Sequence, residues 1–292
     1  MLFRSPAKTE GHYANVIGSP NFYYSGIENS VITKPSWTRS CNLHLSSGPN
    51  STIAISGCMP KGSYARGASV VISNIIEYNK SLFRSLFKRF GIHVNGDVTT
   101  KAAPANLATL ASHQSEPLHS LIKTMLKKSD NVIAGSLFKK IGEEYYNEPG
   151  SWANGGSAIK KILAQKAGVN TSQMTLVDGS GLSRGNEISA AEMMQVLDFA
   201  FHNYATSYEF ISALPIAGVD GTLKSRLGNV ARKVRAKTGT MSKSGITSLA
   251  GYAINQNKEP IAFVIIVNTK GSVWQYREME DKIVTSLVRY SH

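Results

Sequence analysis

Two apolar runs near the C-terminus, "TSLAGYAIN" (247–255) and "PIAFVIIVN" (260–268), constrain the fold of this chain more than any other feature. Both are short and rich in β-branched and aromatic residues, so they predict neighbouring strands. The amphipathic segment "REMEDKIVTSLVRY" (277–290) follows and predicts a terminal helix. Upstream the periodicity is helical. "ASVVISNIIEYNKSLFRSLFKRFGI" closes on Gly91, and "PLHSLIKTMLKKSDNVIAGSLFKKIGEEYY" gives two helical segments. "GSAIKKILAQKAG" (156–168) ends in glycine, and "SAAEMMQVLDFAFHN" (189–203) starts with a capping box of Ser189 and Glu192. Helices in the middle, then a strand pair and a final helix, predict an α+β domain with helices packed on a mainly antiparallel sheet.

Residues 1–64 read differently, as a β-rich segment of short strands and loops, with the helical domain spanning 65–292. "NLHLS" and "STIAISG" flank the turn signal "SGPN", so 42–57 predicts a hairpin. Cys41 and Cys58 flank that hairpin and would face each other across its open end. Paired strands bring Cα atoms within bridging distance, which favours a disulfide; two buried free thiols are the alternative.

Lys and Arg number 32 against 19 Asp and Glu, a formal charge of +13. The surplus suits an anionic neighbour or simply a solvated basic surface, because the cations are scattered. No RNA-binding aromatic signature, zinc-finger spacing or other metal-ligand spacing is present, so nucleic acid, metal and cofactor are not expected. No run approaches the length of a membrane span. The N-terminus lacks the apolar core of a secretory signal. Either the protein is cytoplasmic, or the beginning of a larger exported chain is missing.

Two short triplets carry chemistry. Ser129-Asp130-Asn131 lies between the two helical segments of 117–146, and Lys237-Thr238-Gly239 precedes the first apolar strand. Opening a carboxamide needs a nucleophile, a base and donors for the oxyanion. In serine acyl-transferases with a lysine base, nucleophile and lysine stand as S-x-x-K, on one helix face. A second serine with a nearby amide, S-x-N, relays protons and orients the substrate. A K-T-G strand forms the other wall. Each triplet alone is a common cap or turn; their order and separation are the signal.

The longer context, "KSDNVIAGSLFKKIG", "VDGSGLSRGNEISAAEMMQVL", "ISALPIAGVDGTLKSRL" and "AKTGTMSKSGITSLAGYA", resembles the class C low-molecular-mass penicillin-binding proteins. These are D-alanyl-D-alanine carboxypeptidases and endopeptidases of bacterial cell-wall metabolism. The resemblance runs from about residue 20 to the C-terminus. It implies a penicillin-binding/β-lactamase-like transpeptidase domain, with 1–64 as a β-rich remnant of the family's inserted domain. It implies catalytic roles for Ser129, Asn131 and Lys237, and substrate binding by Thr238, Gly239 and Thr240, the last through its backbone N–H in the oxyanion hole. Asp178, Ser180 and Ser183 match a glycine-rich supporting turn. The implied partners are peptidoglycan stem peptides, and β-lactams if a nucleophile is present; the implied location is the periplasm.

The family's S-x-x-K lies far upstream of S-x-N, in a part for which this chain has no room. "SPAK" (Ser5, Lys8) is first in order but lacks the apolar run of a buried catalytic helix. "SLFK" (Ser85, Lys88), "SLFK" (Ser136, Lys139) and "SAIK" (Ser157, Lys160) read as surface, packing or cap positions. The expectation is an N-terminally truncated family member, either lacking its nucleophile or surviving as a remnant that binds cell wall or a partner chain.

Overall fold

The computed structural model describes residues 2–18, 26–47, 52–68, 70–102, 104 and 106–291. The chain divides into two compact units, residues 1–111 and 112–292.

The N-terminal unit holds two three-stranded sheets. Strands β1 (Leu2–Ser5), β2 (Asn15–Gly18) and β6 (Arg66–Ala68) form one, in the order β2-β1-β6. Strands β3 (Gly26–Lys34), β4 (Leu43–Ser47) and β5 (Thr52–Pro60) form the other, with β5 central. The expected hairpin is β4–β5, antiparallel, with Leu43 opposite Gly57; residues 48–50 of its turn lie outside the described residues. The other neighbour, β3, runs parallel to β5. Alternate residues of β3 and β5 turn inward, and Val31, Ile53, Ile55 and Met59 form a buried cluster with Ala14. Gly57 is required where β4 joins: its φ is +112°, and a Cβ there would lie 1.9 Å from the Asn42 carbonyl oxygen.

Beside that contact Cys41 and Cys58 form a disulfide, with Cα atoms 5.0 Å apart. It closes a loop with a sequence separation of 17. Chain-entropy reasoning for a loop of that size gives a stabilisation of about 3 kcal/mol. Cys58→Ser is therefore expected to lower the unfolding free energy of this unit by about that amount. Denaturant unfolding without reductant reads this, and thiol titration of the denatured wild type should find no free thiol.

Helix α1 (Ile75–Arg89) follows, N-capped by Asn74. The compact units divide after residue 111, whereas the sequence pattern changes at 64/65. Strand β6 pairs with β1, which ties residues 66–68 to the first unit, and that unit continues to residue 111. The change from strand-like to helix-like sequence at residue 66 is a change of element, not of unit.

The C-terminal unit contains helices α2 (Leu118–Lys128), α3 (Asn131–Tyr146), α4 (Trp152–Ala167), α5 (Ala190–His202), α6 (Ser207–Ala213) and α7 (Val273–Arg289). Its antiparallel sheet is β7 (Val234–Met241), β8 (Ile246–Ile254) and β9 (Pro260–Asn268), in that order. The capping box of Ser189 and Glu192 opens α5, and Gly168, at φ +63°, closes α4. Alternation along the strands feeds two cores. Val234, Ala236, Leu249, Ala253 and Phe263 pack with Val284 and Val288 of α7. Tyr252 packs with Leu197 of α5 and with Leu214. The Tyr252 hydroxyl donates to the Leu197 carbonyl at 2.7 Å, and burial pushes its pKa up to about 12. The sheet is thus covered on both faces; its edges are β7 and β9, and β7 is the wall that carries Lys237-Thr238-Gly239.

Behind that wall lies a buried ionic cluster. Arg226 donates to Glu280 at 2.9 Å and to Asp281 at 2.7 Å, and Thr247 of β8 donates to Glu280 at 2.9 Å. Glu280 is fully buried. Burial opposes the Arg226 charge, but hydrogen bonds to Asp281 and Glu280 more than offset it, and its pKa is raised.

Candidate active site

The Ser-Asp-Asn triplet is the joint between two helices. Ser129 ends α2 in the left-handed region, at φ 55° and ψ 51°. Asp130 caps α3, its carboxylate accepting from the backbone N–H groups of Val132 and Ile133. Asn131 is the first residue of α3. The reversal at Ser129 presents both Ser129 and Asn131 to one cleft of about 590 Å³.

The facing wall is β7. Val234 and Ala236 point into the core beneath the sheet, so Lys237, of opposite parity, points to the cleft. Lys237 Nζ donates to Ser129 Oγ at 2.8 Å and to the Thr238 carbonyl at 2.7 Å. Burial lowers the Lys237 pKa below its ordinary value, bringing the neutral amine closer to working pH. The two triplets, 108 residues apart in sequence, are therefore in direct contact. Gly239 lies opposite Ser248 of β8, and a Cβ at Gly239 would sit 2.4 Å from Ser248 Oγ. A side chain there would clash with that hydroxyl; glycine keeps the strand open. Thr238, Gly239 and Thr240 all line the cleft.

The glycine-rich turn closes the third side. Asp178 accepts from the backbone N–H groups of Gly181 and Ser183, each at 2.7 Å, and from the Asn186 amide at 3.0 Å. Burial works against the Asp178 charge, yet these donors hold its carboxyl below the usual range. Ser183 Oγ accepts from Gly185 N, and Ser180 Oγ from Leu182 N. Asp178 and Ser183 thus organise the loop, while Ser180, Gly181 and Leu182 reach the cleft.

Sequence reasoning missed the residues that tie these walls together. Thr222, in a 3-10 turn (Gly221–Leu223), accepts from the Thr238 hydroxyl at 2.8 Å. The turn is anchored by Lys127 of α2, whose ammonium donates to Asp220 at 2.7 Å and to the Leu214 carbonyl at 2.6 Å. Lys127, Asp220, Thr222 and Thr238 form a strut from the Ser129 joint to β7. The sole sequence signal was the segment "GVDGTL", which holds Asp220 and Thr222. Arg277 of α7 also lines the cleft and carried no signal of its own.

Asp220 gives this strut a pH dependence. Burial raises its pKa, but Lys127 and the Ile216 N–H outweigh that, so the folded value is depressed. Its contribution is fully present above the ordinary carboxylate value of about 3.9 and is lost as pH falls through the lower folded value. Asp220→Asn is expected to be less stable at neutral pH and to lose less stability on acidification. Urea midpoints measured between about pH 7 and pH 3 check both halves of that expectation.

Among the described residues no S-x-x-K serine lines the cleft. Ser5 ends strand β1, so the Ser5–Lys8 spacing is not helical. Ser85 is on α1 in the N-terminal unit. Ser136 is on α3 away from the cleft lining, and Ser157 Oγ pairs with the Tyr146 hydroxyl at 2.9 Å. A further pair, Ser120 and Lys123, lies on α2, with Ser120 about 13 Å along the helix axis from Ser129. The cleft's own serines, Ser129, Ser180 and Ser248, have no lysine three residues on. Among the described residues no cluster of His, Cys, Asp or Glu could hold a metal ion, and no helix is long and apolar enough to cross a membrane.

Helices layered on an antiparallel sheet, with a serine–asparagine joint facing a Lys-Thr-Gly edge strand, define a penicillin-binding/β-lactamase-like fold. Residues 3–290 match the D-Ala-D-Ala carboxypeptidase 3 (S13) family, and the chain belongs to that family of low-molecular-mass penicillin-binding proteins. It is 36% identical over 232 residues to the D-alanyl-D-alanine carboxypeptidase DacB of Haemophilus influenzae, covering 78% of this chain and 48% of that protein. It is 31% identical to the D-alanyl-D-alanine carboxypeptidase of an Actinomadura strain, covering 97% of this chain and 53% of that protein. The crystal structure of penicillin binding protein 4 from Haemophilus influenzae superposes with a TM-score of 0.81 at 31% identity, covering 99% of this chain and 66% of that one. The chain spans about half the length of the curated relatives it matches.

Proposed function

We propose that this chain carries the substrate-holding walls of a serine-type D-alanyl-D-alanine carboxypeptidase/endopeptidase site, acting on peptidoglycan stem peptides in the periplasm. The observation that carries this is the contact of Lys237 Nζ with Ser129 Oγ across an otherwise open cleft. In the reaction a serine is acylated by the penultimate D-Ala, the terminal amine leaves, and water releases the acyl group. In this reading Ser129 passes a proton to the leaving amine, drawing on the Lys237 ammonium, and Asn131 orients the peptide. The Thr240 N–H serves as an oxyanion donor. Thr238, held by Thr222, binds the substrate strand alongside Gly239. Asp178 and Ser183 keep the Ser180–Leu182 rim in shape.

In this reading the attacking serine is not among the described residues that line the cleft. The same walls without it make a binding site, and the residues lining the cleft favour that state for the chain as it stands. Residues 1–64 are then a returning segment of an inserted domain. Intact-mass spectrometry after incubation with benzylpenicillin tests the reading. The expected result is folded protein without a covalent adduct but with measurable affinity for an N-acyl-D-Ala-D-Ala peptide. A stoichiometric adduct would assign the nucleophile by peptide mapping and end the binding-only reading. Folded protein with no peptide affinity would remove the site assignment itself.

A further inference from the structure

We propose that Arg277 is a specificity-determining residue of this cleft, reading the α-carboxylate of the residue that follows the scissile bond. The proposal rests on the stem-peptide reading above and adds a residue that neither triplet contains.

The cleft is lined by two cations, Lys237 and Arg277, and by no carboxylate among the described residues. Its field therefore favours an anionic ligand. Lys237 is already engaged, with donor bonds to Ser129 Oγ and the Thr238 carbonyl. Arg277 is not. Its Nε is buried and has no hydrogen-bond partner among the described residues. The acids that share its helix face, Glu280 and Asp281, are held by Arg226. Arg226 also donates to the Arg277 carbonyl at 3.3 Å, which fixes the backbone from which the side chain departs. The Arg277 guanidinium lies over the Trp274 ring, 4.9 Å from its centroid. A cation–π contact of this kind does not consume the N–H donors.

A partly buried guanidinium whose Nε lacks a partner among the described residues matches a carboxylate, which accepts two parallel N–H bonds from such a fork. The lining residues Ile246 and Ser248 of β8 accompany Arg277, and Gly239, opposite Ser248, adds no side chain that would screen the strand from it. A peptide lying along β7 with its scissile carbonyl near Thr240 thus has a cation for its terminal carboxylate besides the one that contacts Ser129. A site built to bond a charged group rejects the neutral isostere, because its own buried donors are then left unpaired.

The test compares an N-acyl-D-Ala-D-Ala peptide with its C-terminal amide, by calorimetry, on the full chain. Wild type is expected to bind the carboxylate at least about tenfold more tightly than the amide. Arg277→Gln is expected to reduce that preference to about twofold or less, and Arg277→Lys to keep part of it, since a point charge remains without the fork. The wild-type comparison needs no variant to fold. Equal wild-type affinity for both peptides overturns the role of Arg277 and leaves the stem-peptide reading intact. A preference that survives in folded Arg277→Gln overturns it as well. Binding of neither peptide by wild type overturns both.

Discussion

Lys237→Ala is expected to weaken binding of an N-acyl-D-Ala-D-Ala peptide by about ten- to a hundredfold, the usual worth of one charge-assisted hydrogen bond. The same change is expected to leave the unfolding free energy within about 1 kcal/mol of wild type. The two halves have different causes. Binding falls because the ammonium is the group that joins the Ser129 joint to β7 at the open face of the cleft. Folding is spared because burial already disfavours the lysine charge, so removing it returns part of a desolvation cost. The strut from Lys127 through Asp220 and Thr222 to Thr238 still holds the walls in register. Calorimetric affinity and denaturant midpoints on the same preparation separate the outcomes. Unchanged affinity would take Lys237 out of the site; a collapse of stability would make it a packing residue.

Glu280→Ala has the opposite profile. Glu280 is fully buried and accepts from both Arg226 and Thr247. Removing it leaves the Thr247 hydroxyl without its acceptor and Arg226 short of one carboxylate, in a region sealed by Val284 and Leu249. Breaking one side of a buried ion pair costs about 3–5 kcal/mol, a large share of the stability of a domain this size. Asp281→Ala is the internal control. The Asp281 side chain is 29% exposed, so water replaces part of what it provides, and its loss is expected to cost about 1 kcal/mol. Equal losses for the two variants would mean that burial does not set the energetics of the cluster.

Much of this architecture was written in local pattern. The run 260–268 is β9 to the residue, 247–255 is β8 displaced by one, and the Ser189 capping box and Gly168 fall where the sequence places them. These features depend on neighbours in sequence, so sequence shows them. The parallel pairing of β3 with β5 does not, because a parallel partner is chosen by the crossover and by burial on both faces. Strand β6 is three residues long, too short to carry a period, and so its pairing with β1 is not visible in sequence. The site divides in the same way. Ser129, Asn131 and Lys237 to Gly239 lie in linear triplets, with Thr240 directly after the second, so they can be named from sequence and all line one cleft. Thr222 and Arg277 reach the cleft only through tertiary packing, from a 3-10 turn and from the far side of the sheet. Nothing in the amphipathic pattern of α7 distinguishes Arg277 from a solvated cation until Arg226 is seen to occupy its acidic neighbours.

The left-handed backbone of Ser129 has one more consequence, for anyone who would improve this protein by selection. An L-residue with a Cβ pays about 1 kcal/mol or more to sit at φ 55°, a conformation that glycine adopts freely and asparagine tolerates. A screen that ranks variants only by heat resistance would therefore reward Ser129→Gly. It would enrich, at the junction of α2 and α3, sequences that have discarded the one hydroxyl that Lys237 holds in the cleft. At this position thermal robustness and chemistry pull the sequence in opposite directions, and a library meant to keep both has to hold Ser129 fixed.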